Sequence, residues 1–411
     1  MSNDEKRSSS NKINRRKFVS ASAVTAAAGL TLVRPSAVRG SEANSRIKVA
    51  CIGQGGRGSW ITGLFKAHGG YEIAAVVDYF PDVAKAAGEK HGVPADRCFL
   101  GLKGYQRAID VGVDAIVCKA APYCFPEQSA AAIEAGCHVY MAKPVAIDVP
   151  GSLEIKRLGK LATQKNLSFL IDFQLRVDPY LQECVRRIHE EDAMKIEFIR
   201  AFYDDDGRAD PPMTDKLSDR FRHLVWTMNL CLGGGRIVAA GIHAIDAMLW
   251  LAGETPSSCV GSSMQCRANP HGDSRDAYSL TYKFPSGITA NYSGDQFRNY
   301  HGFDCGCNAY GWHSYLETRY GGKTWMRGDK WRYEGGETPD LYPRGATTNI
   351  ATFYKNITEG LFDNPTVEPA TDANLAAILG RDAGMRGTEI TWDAMIRENQ
   401  SLAPDLSGLV E

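Results

Sequence analysis

The chain lacks an excess of charge of either sign: 47 Lys and Arg stand against 48 Asp and Glu, a net of −1. No long basic stripe offsets that balance, which argues against nucleic acid as a partner. Paired Cys-x-x-Cys spacing is missing too. The 11 cysteines are an odd number, and Cys51, Cys118, Cys137 and Cys231 sit in apolar runs, where cysteine behaves as a small core hydrophobe. Cys305-x-Cys307 is the one close pair, and no second ligand pair accompanies it, so no metal is expected. No apolar stretch approaches the roughly 20 residues of a membrane-spanning helix, so no span is expected. There is no internal repeat. What is left is an ordinary globular composition, 44% apolar and 23% charged, in 411 residues, long enough for two domains.

What is present centres on Ile47–Asp78. An apolar strand, Ile47-Val49-Cys51, runs into Gly53, Gly55 and Gly58, spaced Gly-x-Gly-x-x-Gly, and then into a helical run from Ser59. A second strand, Ile73–Val77, ends in Asp78, 20 residues past Gly58. Each part suits a dinucleotide. Gly53 permits the tight turn, Gly55 removes the Cβ that would block a pyrophosphate, and Gly58 allows close packing of helix on strand. The helix start, at Gly55, Gly56, Arg57 and Gly58, offers free N–H groups to phosphate, and Asp78 can accept both ribose hydroxyls. Tyr79 and Phe80 follow Asp78, with no Lys or Arg before Lys85. A carboxylate repels a 2′-phosphate, so NAD is expected over NADP.

Ahead of that unit lie a polar segment, residues 1–13, then Asn14-Arg15-Arg16-Lys17-Phe18 and an uncharged Ala/Ser/Thr-rich run, Val19–Val33. Small residues around Ser36–Ala43 complete the layout of a signal peptide, and the paired arginines resemble a twin-arginine signal. Export in the folded state is therefore expected, to the periplasm or beyond, with 1–45 as signal and linker. Twin-arginine export suits a protein that takes up its dinucleotide in the cytoplasm before leaving.

Residues 46–174 read as strand–helix repeats of a parallel sheet, a Rossmann domain. Helices are expected at Pro81–His91, Leu102–Ala108, Pro126–Ala135 and Ser152–Gln164, and strands at Asp114–Cys118, Gly136–Met141 and Leu167–Phe173. From 175 to 411 the period changes. A helix at Pro179–His189 and a strand at Lys195–Tyr203 are followed by hairpin-spaced strands, Tyr278–Phe284, Ile288–Tyr292 and Tyr315–Tyr320. These predict an α/β domain with a large, mainly antiparallel sheet. Helices at Thr348–Leu361 and Asp372–Gly384 close the chain.

Chemistry-bearing positions gather at expected strand ends, where open sheets bind ligands. Lys143 follows the fifth strand, and Pro122 follows the fourth. Lys143 can donate to a sugar hydroxyl, and partial burial would lower its pKa. His243 lies on a helix-like run after Gly233-Gly234-Gly235, with Asp246 beside it at i+3. It is a proton acceptor or a satisfied core histidine, and Asp246 orients it or serves internal structure. Arg176 and Tyr203 are candidate substrate contacts, with Tyr203 and His223 as alternative proton carriers. Asp204–Asp206 reads as a solvated loop, and Trp312, Trp325 and Trp331 read as packing residues.

The runs Asp114–Val117, Ala135–Pro144 (AGCHVYMAKP) and Gly233–Gly235 with Gly241–Asp246 (GIHAID), in this order, resemble the glucose–fructose oxidoreductase/inositol dehydrogenase (Gfo/Idh/MocA) family over residues 46–395. That resemblance implies NAD- or NADP-dependent oxidation of a sugar or cyclitol hydroxyl, with Lys143 and His243 as the matching catalytic pair. It also implies C-terminal helices that pack back near the first domain. Homo-oligomers, dimers or tetramers, would form through the open sheet. The chain departs from the pattern. Ala142 stands where the family usually has glutamate, Ala239 where many dehydrogenases have aspartate, and Phe125-Pro126 where a histidine often occurs. Two alternatives stay open: a glycosidase with tightly held NAD, and a non-catalytic sugar-binding relative.

Overall fold

The computed structural model describes residues 46–410 apart from 208, 215, 223, 298 and 299. Arg15-Arg16, with the expected signal, and His223 lie outside the described residues. The first sheet begins with β1 (Ile47–Ile52), α1 (Gly56–His68), β2 (Tyr71–Asp78) and α2 (Pro81–His91). It continues through β3 (Cys98–Leu100), α3 (Gly104–Asp110), β4 (Ala115–Cys118), α4 (Phe125–Glu134), β5 (His138–Ala142), α5 (Val149–Gln164) and β6 (Phe169–Asp172). The six strands lie in the order β3-β2-β1-β4-β5-β6, all parallel. This is the doubly wound Rossmann arrangement. The central strands are nearly continuous runs of buried apolar residues, such as Ala115–Cys118, because helices cover both faces.

After α6 (Pro179–Glu191) the chain enters a nine-stranded sheet through β7 (Phe198–Asp204). A short α7 (Leu230–Gly233), a π-helical turn (Ile237–Gly241) and α8 (Ile242–Ala252) follow. Strands β8 (Ser258–Met264), β9 (Ala277–Lys283), β10 (Thr289–Asp295), β11 (Asp304–Gly311), β12 (Ser314–Arg319), β13 (Lys323–Gly328) and β14 (Trp331–Glu337) complete most of the sheet. After α9 (Leu341–Glu359) and α10 (Val367–Arg386), a two-residue β15 (Ile390–Thr391) adds its edge, and α11 (Trp392–Glu398) follows. The order is β14-β13-β12-β11-β7-β10-β9-β8-β15. Every neighbour pair is antiparallel except β7 with β10.

The run Leu230–Ala252 is long and apolar enough to cross a membrane by length and composition, more apolar than the sequence reading allowed. In the fold, 83% of its most apolar window is buried, and α8 packs on β7 and β11 as a core helix. Helices α9 and α10 start earlier than the periodicity suggests. Pro343 and Pro369 stand in their first turns, where a missing N–H costs nothing because the first N–H groups have no intrahelical partner. Helix α9 lies against α1, with Trp60 stacked on Tyr342 at 5.1 Å and the Tyr71 hydroxyl donating to Ile350 O at 2.9 Å. Helix α10 reaches the first sheet's connections, since Asn374 and Arg381 donate to Ala146 O and Ile147 O.

Candidate active site

A cleft of about 860 Å³ opens at the carboxyl ends of the first sheet's strands. One end is built on the glycine turn. Gly53 has φ +81°, and a Cβ there would lie 2.6 Å from Ala120 N. A Cβ on Gly58 would lie 2.0 Å from Gly53 O, so Gly58 is demanded by the turn itself rather than by helix–strand packing. A Cβ on Gly55 or Gly56 meets nothing within 4 Å. Both glycines line the cleft, so that open space lies over the start of α1 and its free N–H groups. The turn is further tied by Gly53 N donating to Val77 O at 2.8 Å. Below it, the half-buried Lys119 ammonium donates to Gly58 O and Thr62 Oγ1 at 2.9 and 2.6 Å.

Asp78 closes this end. Its carboxylate accepts from Gln54 N at 2.7 Å and Phe80 N at 3.0 Å. Burial pushes its pKa up while those N–H groups pull it down. A cation that the local sequence does not reveal stands nearby. Arg222 lies over the Phe80 ring at 3.8 Å and makes two hydrogen bonds to Asp82. Phe221 packs beside it on Tyr79 and Tyr123. The C-terminal tail borders the same rim, with Leu102 N donating to Val410 O and Val410 N to the Tyr79 hydroxyl.

The other end holds Lys143, His243, Tyr203, Gln174 and Arg236, with Arg57 and Pro122 between the two. Lys143 follows β5, and its ammonium donates to Ala239 O at 2.7 Å. Burial, with Arg57 and Arg236 nearby, pulls its pKa down to about 7. His243 sits in the first turn of α8, 9% exposed, with its ring parallel to Tyr203 and edge-on to Tyr320. Its Nδ1 is buried with no hydrogen-bond partner among the described residues. Burial, then the Lys143 and Arg57 charges, holds its pKa well below the ordinary range, so the ring stays neutral. Arg57 extends from the glycine turn to Asp172 at 3.2 Å, at the end of β6. Asp172 also accepts from Gln174 and Asn349.

Arg176 and Asp246 are not brought to the cleft, contrary to the sequence reading. They form a bidentate pair, Nε–Oδ2 2.9 Å and Nη2–Oδ1 2.8 Å, with Arg176 over the Trp250 ring. Asp246 therefore does not orient His243: residues i and i+3 share only part of a face, and the buried carboxylate turns to the guanidinium. The Asp204–Asp206 loop is not fully solvated either, because Asp205 is buried and pairs with Arg236. Cys305 and Cys307 are both buried in β11, and the Cys307 thiol donates to Ala244 O. Among the described residues, no cluster of three His, Cys, Asp or Glu is placed to hold a metal. Trp325 packs on Tyr315, Trp312 is exposed at a turn, and none of the three tryptophans lines the cleft.

Sequence reasoning missed Arg236, Asp172, Gln174, Lys119 and Arg222. Arg236 directly follows the triple glycine, and Asp172 and Gln174 flank an expected strand end, so a signal existed for these three. Arg222 carried none, since it comes from 140 residues beyond Asp82.

The fold and cleft define a class: a two-sheet α/β protein with a Rossmann nucleotide turn facing a lysine–histidine pair. Comparison with known proteins agrees on the fold. Residues 182–317 match the GFO/IDH/MocA C-terminal domain family. The chain is 26% identical over 194 residues to a dehydrogenase, aclE, of Aspergillus oryzae, covering 47% of this chain and 49% of that one. It spans about half the length of the curated relatives it matches, 49% and 50%. Among solved structures it shares its fold with myo-inositol 2-dehydrogenase of Lactobacillus plantarum, TM-score 0.65 at 19% identity, covering 84% of this chain and 99% of that one. Levoglucosan dehydrogenase in complex with NADH has TM-score 0.66 at 18% identity, with 84% and 99% coverage.

Proposed function

We propose that the protein is an NAD-dependent oxidoreductase acting on a hydroxyl of a sugar, sugar derivative or cyclitol by hydride transfer. One observation carries this reading: a single cleft joins the glycine turn and Asp78 to Lys143 and His243. The residues fit a dinucleotide. The open space over Gly55 and Gly56 and the α1 N-terminus suits a pyrophosphate, and Asp78 suits the ribose hydroxyls. A nicotinamide bound beyond Arg57 would supply the hydride acceptor. The chain's own task is the proton. A group with pKa near 7 is the most effective acceptor at neutral pH, so neutral Lys143 takes the hydroxyl proton. His243 stays neutral and orients that hydroxyl through its ring. This exchanges the roles expected from sequence, where His243 was the base and Lys143 the ammonium donor. The test is reduction of added NAD with a panel of sugars and polyols, read by nicotinamide absorbance. No reduction with any of them would overturn the reading.

NAD is the proposed cofactor over NADP even with Arg222 at the rim. Asp82 engages both terminal nitrogens of that guanidinium, so Arg222 acts on Asp78 only through its field, and the Asp78 carboxylate would still repel a 2′-phosphate. Asp78→Asn removes the charge and keeps an acceptor for one of the two N–H groups, which bond different carboxylate oxygens in the parent. The expected result is an NAD-over-NADP binding ratio lowered about tenfold, roughly 1.4 kcal/mol. Fluorescence titration showing NADP bound as tightly as NAD by the parent protein would refute the preference.

A second reading, redox-neutral sugar cleavage with a retained dinucleotide, is favoured by the Phe221–Arg222 segment and Val410, which border the Asp78 end. Mass spectrometry of the native protein decides between them: copurified NAD supports retention, and free exchange supports the dehydrogenase. Export by the twin-arginine route is proposed from residues 14–43. Arg15→Lys with Arg16→Lys is expected to hold the precursor in the cytoplasm. Undiminished export of that variant in cell fractions would remove the proposal. A homo-oligomer is proposed through the outer face of the nine-stranded sheet, where half-buried Phe198, Tyr310, Tyr315 and Trp325 pack in series.

A further inference from the structure

Arg236, Ala239, Ala240 and His243 all line the substrate end of the cleft. They span the π-turn and the first turn of α8. The two alanines leave a shallow floor between a guanidinium at one end and an imidazole at the other. The π-turn rises less per residue than the roughly 1.5 Å of an α-helix, so the two end positions stand within about 10 Å along the axis, a span that accommodates one monosaccharide with a hydrogen bond at each end.

Arg236 is 3% exposed and anchored from behind: Nη2 donates to Asp205, whose other oxygen accepts from Gly207 N at 2.8 Å. Its own N–H donates to Ser274 Oγ at 2.9 Å. Its Nε is buried with no hydrogen-bond partner among the described residues. An unpaired buried donor on a charged group is unfavourable unless a ligand satisfies it. The carboxylates near this end are already taken, Asp172 by Arg57 and Asp205 by Arg236, and Ala142 and Ala239 add none. Among the described residues Lys143 has no carboxylate within ion-pair distance; it donates to Ala239 O, and Asp172 acts on it only through its field. An arginine with a fixed guanidinium is the side chain best matched to a planar carboxylate.

We propose that the substrate is a sugar acid, a uronate or aldonate, whose carboxylate is held by Arg236 while the carbinol lies between Lys143 and His243. The proposal rests on the hydride-transfer reading for the second half of that sentence and on Arg236 for the first.

The test compares glucuronate, galacturonate and gluconate with glucose, galactose and myo-inositol on the NAD-loaded full-length protein. Binding is read by calorimetry and turnover by nicotinamide reduction. The acids are expected to be favoured by at least about 10²-fold in kcat/KM, because a site built to bond a group rejects analogues lacking it. Arg236→Gln alone strands the buried Asp205, so the variant is Arg236→Gln with Asp205→Asn. It is expected to lower the preference below about tenfold, chiefly through KM. Neutral sugars bound as well as the acids, or a preference untouched in the double variant, overturns the carboxylate site and leaves hydride transfer standing. Acids bound selectively without reduction of NAD overturns hydride transfer and leaves the carboxylate site. Binding of no compound overturns the sugar-acid proposal.

Discussion

His243→Ala and Lys143→Met are each expected to lower turnover by at least roughly 10²-fold while NAD binding survives, since a positioned acid–base group contributes about 10²–10⁴. The pH profile separates their roles. With Lys143 pulled down to about 7 by burial, Arg57 and Arg236, the neutral amine that accepts the proton dominates above that pH. The oxidation rate, as kcat/KM, therefore falls as pH drops below about 7, with unit slope. His243→Ala keeps this limb at a lower overall rate, because its ring is already neutral across the range. Lys143→Met abolishes the limb. In the double variant the losses should not compound, as for groups that act as a unit. Near-parental rates in both single variants would refute the assignment, and an unchanged limb in Lys143→Met would return the proton to another group such as Tyr203.

Gly58→Ala is expected to weaken NAD binding by at least about 10²-fold and to lower the thermal midpoint. The added Cβ would stand 2.0 Å from Gly53 O, far inside contact distance. Gly53 cannot retreat, because it is itself packed on the Ala120 backbone. Overpacking of this kind typically costs about 1–3 kcal/mol, and here it also opens the turn that presents the α1 N–H groups. Gly55→Ala is the companion measurement. Its Cβ meets no protein atom within 4 Å, and φ −59° at Gly55 suits alanine. The thermal midpoint of the free protein is expected to hold, and the stabilisation on adding NAD to shrink, since the methyl fills the space assigned to the pyrophosphate. Equal NAD-induced stabilisation in Gly55→Ala and the parent would show that the phosphates do not pass there.

The Rossmann half was largely legible in the sequence. Its strands are short, continuous apolar runs, its helices alternate with them, and its nucleotide turn is local, from Gly53 to Gly58, with Asp78 set by one strand–helix–strand unit. Three residue runs also carried the lysine and the histidine. The second sheet was less legible. Strands β8, β11, β13 and β14 carry Gly, Ser or Cys in buried or half-buried places, as at Gly261, Ser263 and Cys305-Gly306-Cys307, so their alternation is faint.

Sequence alone determined which side chains were available: a glycine turn, an acid after the second strand, one lysine before a proline, one histidine after a triple glycine. Tertiary structure alone decided their company. It paired Asp246 with Arg176 and took both from the cleft, and it buried Asp205 against Arg236. It set Lys143 among Arg57 and Arg236, with the nearby Asp172 engaged by Arg57, and brought Arg222 to Asp82 across 140 residues. The reason is physical: the number and spacing of residues are properties of the chain, but a charge acquires its pKa and its role from neighbours within a few ångströms and from the water excluded around them.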